Sequence, residues 1–205
     1  MENKTLASLK VPENLKLDEP LKLVRTEEEL YGVNELCRAT YKTLYPDISE
    51  FHNNPFDKQA HILFTKDPSG KYTSMARLVI DSSLGLPEDP YFPIDIQKYR
   101  EQGIKLMEFG RFIILDGNPE LLKEFYKAVY LIAKAEGVGA IIMAMRAHHV
   151  GFHHHKIGAF LLSPDMNLTY GGKHSLACVS WELSATKDRF FDWVGLPRPQ
   201  NGGES

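Results

Sequence analysis

Two periodicities divide the chain. Apolar residues recur at helical spacing in two long segments. In the first, Leu30, Val33, Leu36 and Cys37 line one side of a helix with Thr26 at its N-cap and acids in its first turn, ended by Pro46. In the second, Leu122, Phe125, Val129 and Ile132 or Ala133 form a core stripe, and Lys123, Lys127, Tyr130 and Lys134 form an outer one. Asn118, Pro119 and Glu120 mark its start and Gly137 its end. Residues 60–65 and 72–80 read as a strand hairpin around the Asp67-Pro68-Ser69-Gly70 turn, with Thr73, Met75, Arg77 and Val79 on one face. Residues 138–145 are small and apolar throughout, as in a strand buried on both sides.

Weaker signals fill the gaps. Residues 21–25 predict a short opening strand, and 47–58 an irregular polar stretch holding His52, Asn53, Asn54 and Asp57. A Pro/Gly-rich loop follows at 81–91, then a short helix reaching Gly103. Residues 107–115 predict a strand, 146–158 a helix, 159–162, 167–171 and 176–183 further strands, and 186–194 a last helix. The strand, helix and buried strand spanning 107–145 predict a parallel crossover, so the sheet is mixed. The expected organisation is an extension at 1–20, one domain at 21–194 and a flexible tail at 195–205.

The segment Met107-Glu108-Phe109-Gly110-Arg111-Phe112-Ile113-Ile114-Leu115 is unusual because it carries an acid and an arginine through an apolar strand. Unpaired charge away from water is costly, so Glu108 and Arg111 should be paired or should face a polar cleft. Alternation would put them on opposite faces, but the glycine between them suggests a bulge that brings both to one side. A bulge also frees backbone N–H groups. A donor aimed at a developing oxyanion, beside a carboxylate that accepts a proton, is what acyl transfer to an amine requires. Taken alone, the segment fits a structural salt bridge at a sheet kink equally well.

Composition narrows the class. The chain has 205 residues, 43% hydrophobic and 11% aromatic, with a net charge of −3. That supports one sizeable core and gives no global basic field for nucleic acid. Cys37 and Cys178 lack metal spacing and suggest no disulfide framework, and the N-terminal residues hold no signal-like apolar run, so a cytoplasmic protein is expected. His148, His149, His153, His154 and His155 crowd one helix. His149 and His153 have the i, i+4 spacing of two metal ligands, but no H-E-x-x-H motif or third ligand accompanies them, so no metal is expected.

The element order, with charged residues on the middle strands, resembles the GNAT-like acyl-CoA N-acyltransferase fold: α/β, a central mixed twisted sheet flanked by helices, with splayed middle strands. Within it the chain is similar to the branch of acyl-homoserine-lactone synthases and long-chain N-acyl amino acid synthases. The resemblance covers residues 21–183. It is carried by Leu36-Cys37-Arg38-Ala39-Thr40-Tyr41, Asp57, Ala76-Arg77-Leu78 and Glu108-Phe109-Gly110-Arg111-Phe112. His149-Val150-Gly151-Phe152-His153 is similar to a late family pattern, with His153 where tyrosine is usual. The Leu84-Gly85-Leu86-Pro87-Glu88-Asp89 loop resembles a segment of the N-acyl amino acid synthases, in particular an N-acyl tyrosine synthase. Asn53 and Asn54 stand where lactone synthases would place acids to hold a sulfonium cation.

The resemblance implies direct aminolysis of a long-chain acyl thioester. Glu108 would accept the amine proton, and backbone amides near Phe112 and Ile113 would stabilise the oxyanion. Arg77 and Arg111, with Arg38 as a weaker candidate, would bind the substrate carboxylate or balance Glu108. Ile114, Met143 and Met145 would line the acyl chain, and His149 and Phe152 the cleft. The turn at Asp116-Gly117-Asn118-Pro119 suits a diphosphate poorly. The expected donor is therefore acyl-phosphopantetheine on an acyl carrier protein, with Lys123, Lys127, Lys134 and Arg146 as a candidate docking patch. Other readings are an acyl-homoserine-lactone synthase, a coenzyme A-dependent acetyltransferase of the same fold, and a non-catalytic binder of acyl carrier protein or lipid.

Overall fold

The computed structural model describes residues 17–44, 54–162, 168–170 and 174–199. Strand β1 (Lys22–Leu23) leads into helix α1 (Glu27–Leu44), which opens with a reciprocal cap: the Glu29 amide donates to Thr26 Oγ1, and Glu29 Oε2 accepts from the Thr26 amide. A 3-10 turn at Pro55–Gln59 precedes the hairpin of β2 (Ala60–Lys66) and β3 (Tyr72–Ile80). Helix α2 (Pro93–Glu101), β4 (Leu106–Ile114), α3 (Pro119–Ala135) and β5 (Ala140–Arg146) follow. Helix α4 (Val150–Ile157), β6 (Phe160–Leu161), β7 (Leu168–Tyr170), β8 (His174–Glu182) and α5 (Asp188–Val194) complete the chain. Residues 47–53, with His52 and Asn53, lie outside the described residues.

Among the described residues the strands form one sheet in the order β1-β2-β3-β4-β5-β8-β6, with β7 also paired to β8. The β4–β5 pair is parallel, through α3, and the other pairs are antiparallel, so the sheet is mixed as the crossover predicts. The parallel ladder is short. It joins Leu106, Met107 and Glu108 to Ala140, Ile141 and Ile142 and then stops, so the remainder of β4 and β5 separate.

The sheet has a core on each face. One packs Leu78, Phe109, Ile141 and Met143 against α3 and α5, with Phe125, Tyr126, Val129, Phe190 and Phe191 filling it. The other packs Met75, Val79, Ile113 and Ile142 against α1 and α2, with Val33, Cys37, Leu86 and Ile96. Thus Met75, Arg77 and Val79 share a face as alternation requires.

Tyr130 departs from its expected place on the solvent stripe of α3. It is buried among Trp181, Phe190 and Phe191, because α5 returns to cover that flank of the helix. In the segment expected as a tail, Leu196 packs on the α3/α5 core, and Arg198 donates to Asp188 and Asp192. Before β1, Asp18 accepts from Lys127 on α3.

Candidate active site

The charged residues of β3 and β4 meet under α1, at the point where β4 and β5 part. Arg77 Nη2 donates to Glu108 Oε1 at 3.2 Å and Nη1 to Asp57 Oδ1 at 3.1 Å. Arg111 Nη1 donates to the same Asp57 oxygen at 3.3 Å. Arg77, Glu108, Arg111 and Asp57 side chains are each at most 8% exposed. Asp57 is delivered by the 3-10 turn, whose first amide, Phe56, donates to Asn54 Oδ1 at 3.0 Å. Asp57 thus bridges both arginines, a role not assigned from the sequence even though the residue stood among the motif carriers.

Glu108 and Arg111 reach one side by a bulge, but not one made at the glycine. Met75 pairs with Ile113 and Arg77 with Gly110, so Arg111 and Phe112 together face Ala76. Arg111 itself takes the left-handed conformation, φ 47°, which is rare for a non-glycine residue. The glycine has a different reason. A Cβ on Gly110 would lie 1.9 Å from Glu108 Oε1, so the missing side chain provides the room into which the Glu108 carboxylate folds.

The electrostatics follow from burial and these partners. Burial would lower Arg77, but Glu108 and Asp57 outweigh it and raise the guanidinium well above its ordinary value. Burial raises Glu108 above the usual carboxylate range, against the pull of Arg77 and Arg111. A raised carboxyl is a better proton acceptor near neutrality than an ordinary one. Cys37, on the inner side of α1, is pushed up by burial, against the lowering pull of the two arginines. Asn34 Oδ1 on α1 and Arg189 Nε on α5 are buried without a partner, and so are three atoms around this cluster: Glu108 Oε2, Arg77 Nε and Glu88 Oε2. Buried polar groups are normally satisfied, so the three around the cluster mark where a polar ligand would sit.

On the other face of the same opening the lining is apolar. Phe112, Ile114, Met145 and Phe152 pack on the α3/α5 core, with Met143 buried in it. At their centre Tyr126 meets Phe109, Phe112 and Phe152 edge-on. Tyr126 donates its hydroxyl to His153 Nε2 at 2.5 Å, since His153 Nδ1 donates to the His149 carbonyl at 2.8 Å. Both His153 nitrogens are therefore in use. Among the described residues no group of three or more His, Cys, Asp or Glu is placed to hold a metal ion.

The structure therefore gathers Glu108, Arg77, Arg111 and Ile113 on one face and Phe112, Ile114, Met143, Met145 and Phe152 on the other. It does not bring Arg38 or His149 to the cluster. Arg38 is 43% exposed on α1 and donates Nε to Glu35 at 3.1 Å, and His149 is exposed with its ring beside His148. In the candidate docking patch, Lys123 donates to Glu120 and Lys127 to Asp18, while Lys134 is exposed and Arg146 half-buried. No described helix is long and apolar enough to cross a membrane.

The mixed sheet flanked by helices and splayed at its middle strands has the GNAT-type acyltransferase fold that the sequence resembles, and the comparisons agree. The family model described as N-acyl amino acid synthase FeeM matches residues 31–172, and the chain belongs to that family of N-acyltransferases. Among solved structures, FeeM, an N-acyl amino acid synthase from uncultured soil microbes, superposes with a TM-score of 0.69 at 15% identity, covering 81% of this chain and 93% of that one. The AHL synthase LasI superposes with a TM-score of 0.62 at 12% identity, covering 88% and 97%. BjaI, a CoA-dependent acyl-homoserine lactone synthase with SAM and isopentyl-CoA, gives a TM-score of 0.53 at 14% identity, covering 84% and 87%. At these identities the structural likeness establishes the fold. No curated protein sequence matches the chain.

Proposed function

We propose that this N-acyltransferase moves a long-chain fatty acyl group from an acyl carrier protein thioester to the amino group of an amino acid, tyrosine being the acceptor suggested by the resemblance. The observation that carries the reading is the two-faced opening. Buried charges with unpaired Glu108 Oε2 and Arg77 Nε lie on one side, and an apolar wall on the other, where β4 leaves β5. An amino acid needs the first and a fatty chain the second.

The thioester carbonyl would lie at the bulge, with the Phe112 and Ile113 amides as oxyanion donors and Glu108 taking the proton of the attacking amine. Arg111, with Arg77 behind it, would pair with the acceptor carboxylate. A docked fatty chain would run along Ile114, Met143, Met145 and Phe152. The start of α3 supports a carrier-protein donor. Asn118 N donates to Asp116 Oδ1, and the Glu120 and Leu121 amides donate to Asn118 Oδ1. Pro119 has no amide to give, so the donors that would cradle a diphosphate are taken or missing. The phosphopantetheine arm of a carrier protein requires no such grip, and Lys123, Lys127, Lys134 and Arg146 are the candidate surface for its acidic body.

The test is incubation of the purified protein with palmitoyl-loaded acyl carrier protein or palmitoyl coenzyme A and all twenty amino acids, read by mass spectrometry. One dominant N-acyl amino acid formed from the carrier-protein donor is expected. Product only from the coenzyme A donor would overturn the donor assignment, and acyl binding without product from either would leave a silent binder.

A further inference from the structure

The loop between β3 and α2 is built around one buried acid. Arg100 on α2 donates to Asp81 through Nε and Nη2, each at 2.8 Å, and to Asp89 through Nη1 and Nη2 at 2.8 and 2.7 Å. Asp89 Oδ2 also accepts from the Leu86 amide at 2.8 Å, and it occupies the space where a Cβ on Gly85, φ +78°, would fall. The loop is thus fixed at both ends, with Leu86 and Phe92 buried in the α1/α2 core. Between them Glu88 is 6% exposed, and its Oε2 has no partner. Its own backbone amide donates to the carboxylate, yet an apolar residue would cost less to bury there.

Charge bookkeeping says what the acid is for. Arg77 and Arg111 are fixed cations. Asp57 answers both and Glu108 is bound by Arg77; Glu88, in the loop between the buried Leu86 and Phe92 on the same face of the sheet, is a third carboxyl within electrostatic reach of Glu108 and Arg77. The charged groups that act on Glu88 are Glu108 on β4, Arg77 on β3 and its own neighbour Asp89, and the Cys178 thiol of β8 feels Glu88 in turn. Burial and then Glu108 hold the Glu88 carboxyl well above its ordinary range, which agrees with a cluster short of one positive charge.

We propose that Glu88 is the second carboxyl of the acceptor subsite, where the substrate ammonium supplies the missing positive charge by donating to the unpaired Oε2 atoms of Glu88 and Glu108. This rests on the amino-acid acceptor reading. On this proposal one proton stays on one of the two carboxyls until the acceptor binds, and the ammonium displaces it. The bound ammonium then returns one proton to the pair and becomes the free amine. Its lone pair attacks the thioester carbonyl, the C–N bond forms, the C–S bond breaks, and the second nitrogen proton leaves with the thiolate as thiol.

The test is calorimetric titration at neutral pH, in buffers of different protonation enthalpy, with the amino acid that the wild type acylates, or L-tyrosine where it acylates none. The wild type should release about one proton per acceptor bound, and affinity should fall as pH falls. E88Q and E88L should release none, bind the acceptor at least about tenfold more weakly and leave the KM for the acyl donor unchanged. E88L should melt at or above the wild-type temperature, because it removes a buried unpaired carboxyl. Should E88L fail to fold, E88Q carries the test, since it keeps the shape. Variants that bind the acceptor normally and still release a proton would overturn the inference while leaving N-acyl transfer intact. A wild type that releases the proton but makes no product would overturn the acyl-transfer reading and leave the cation subsite standing. Absence of acceptor binding by the wild type would overturn both.

Discussion

The two faces of the sheet at the splay use the same strands in opposite ways. Under α1 and α2, alternate residues of β3 and β4 bury charges and leave Glu108 Oε2 and Arg77 Nε unpaired. Under α3 and α5, the intervening residues pack aromatic and aliphatic side chains, and the buried Tyr126 hydroxyl is satisfied by His153. The second face is what a stable core requires. The first spends stability on buried charge, and the difference points to function on that side.

The largest separation of the faces comes from E108Q. It should lower kcat by about 10²–10⁴-fold while the protein still folds, as loss of a proton acceptor does. The same carboxyl sets the sign of the pH dependence. It works ionised and its folded value is raised, so activity should fall as pH drops through a value above the ordinary carboxylate range. Next in size, D57A leaves Arg77 and Arg111 buried without their shared carboxylate and should cost about 3–5 kcal/mol in chemical denaturation. G110A pushes a methyl into Glu108 Oε1 and should reduce kcat/KM for the acceptor by about tenfold, with a smaller stability loss. On the apolar face, M145W should shift donor preference toward shorter chains by a comparable factor and leave the acceptor KM alone. The smallest effect belongs to K134E, on the exposed part of the candidate patch. It should raise the KM for acyl carrier protein a few-fold at low salt and lose that effect as salt rises.

Local chemistry made much of this legible before the fold was seen. The N-cap signals of α1 and α3 and the hairpin turn are set within a few residues, and the cost of burying Glu108 and Arg111 demands a partner for each, found in Arg77 and Asp57. What escaped was set at a distance. Tyr130 reads as a solvent residue from its own helix, and only α5, from the far end of the chain, buries it. Glu88 reads as an ordinary loop acid until Arg100 ties Asp81 and Asp89 together across α2. Gly110 rightly signalled a bulge, which opens at the next residue, and it has a second role besides. The left-handed backbone belongs to Arg111, and the glycine makes room for a carboxylate.

The proposed division of the site is that each face handles its own substrate. Its most direct test is a two-substrate steady-state matrix, amino acid against acyl chain length, for the wild type, G110A and M145W. G110A should change the acceptor parameters at every chain length equally, and M145W should change the chain-length profile with the acceptor KM unmoved. If both variants shift both axes together, the division of the site between the faces is wrong.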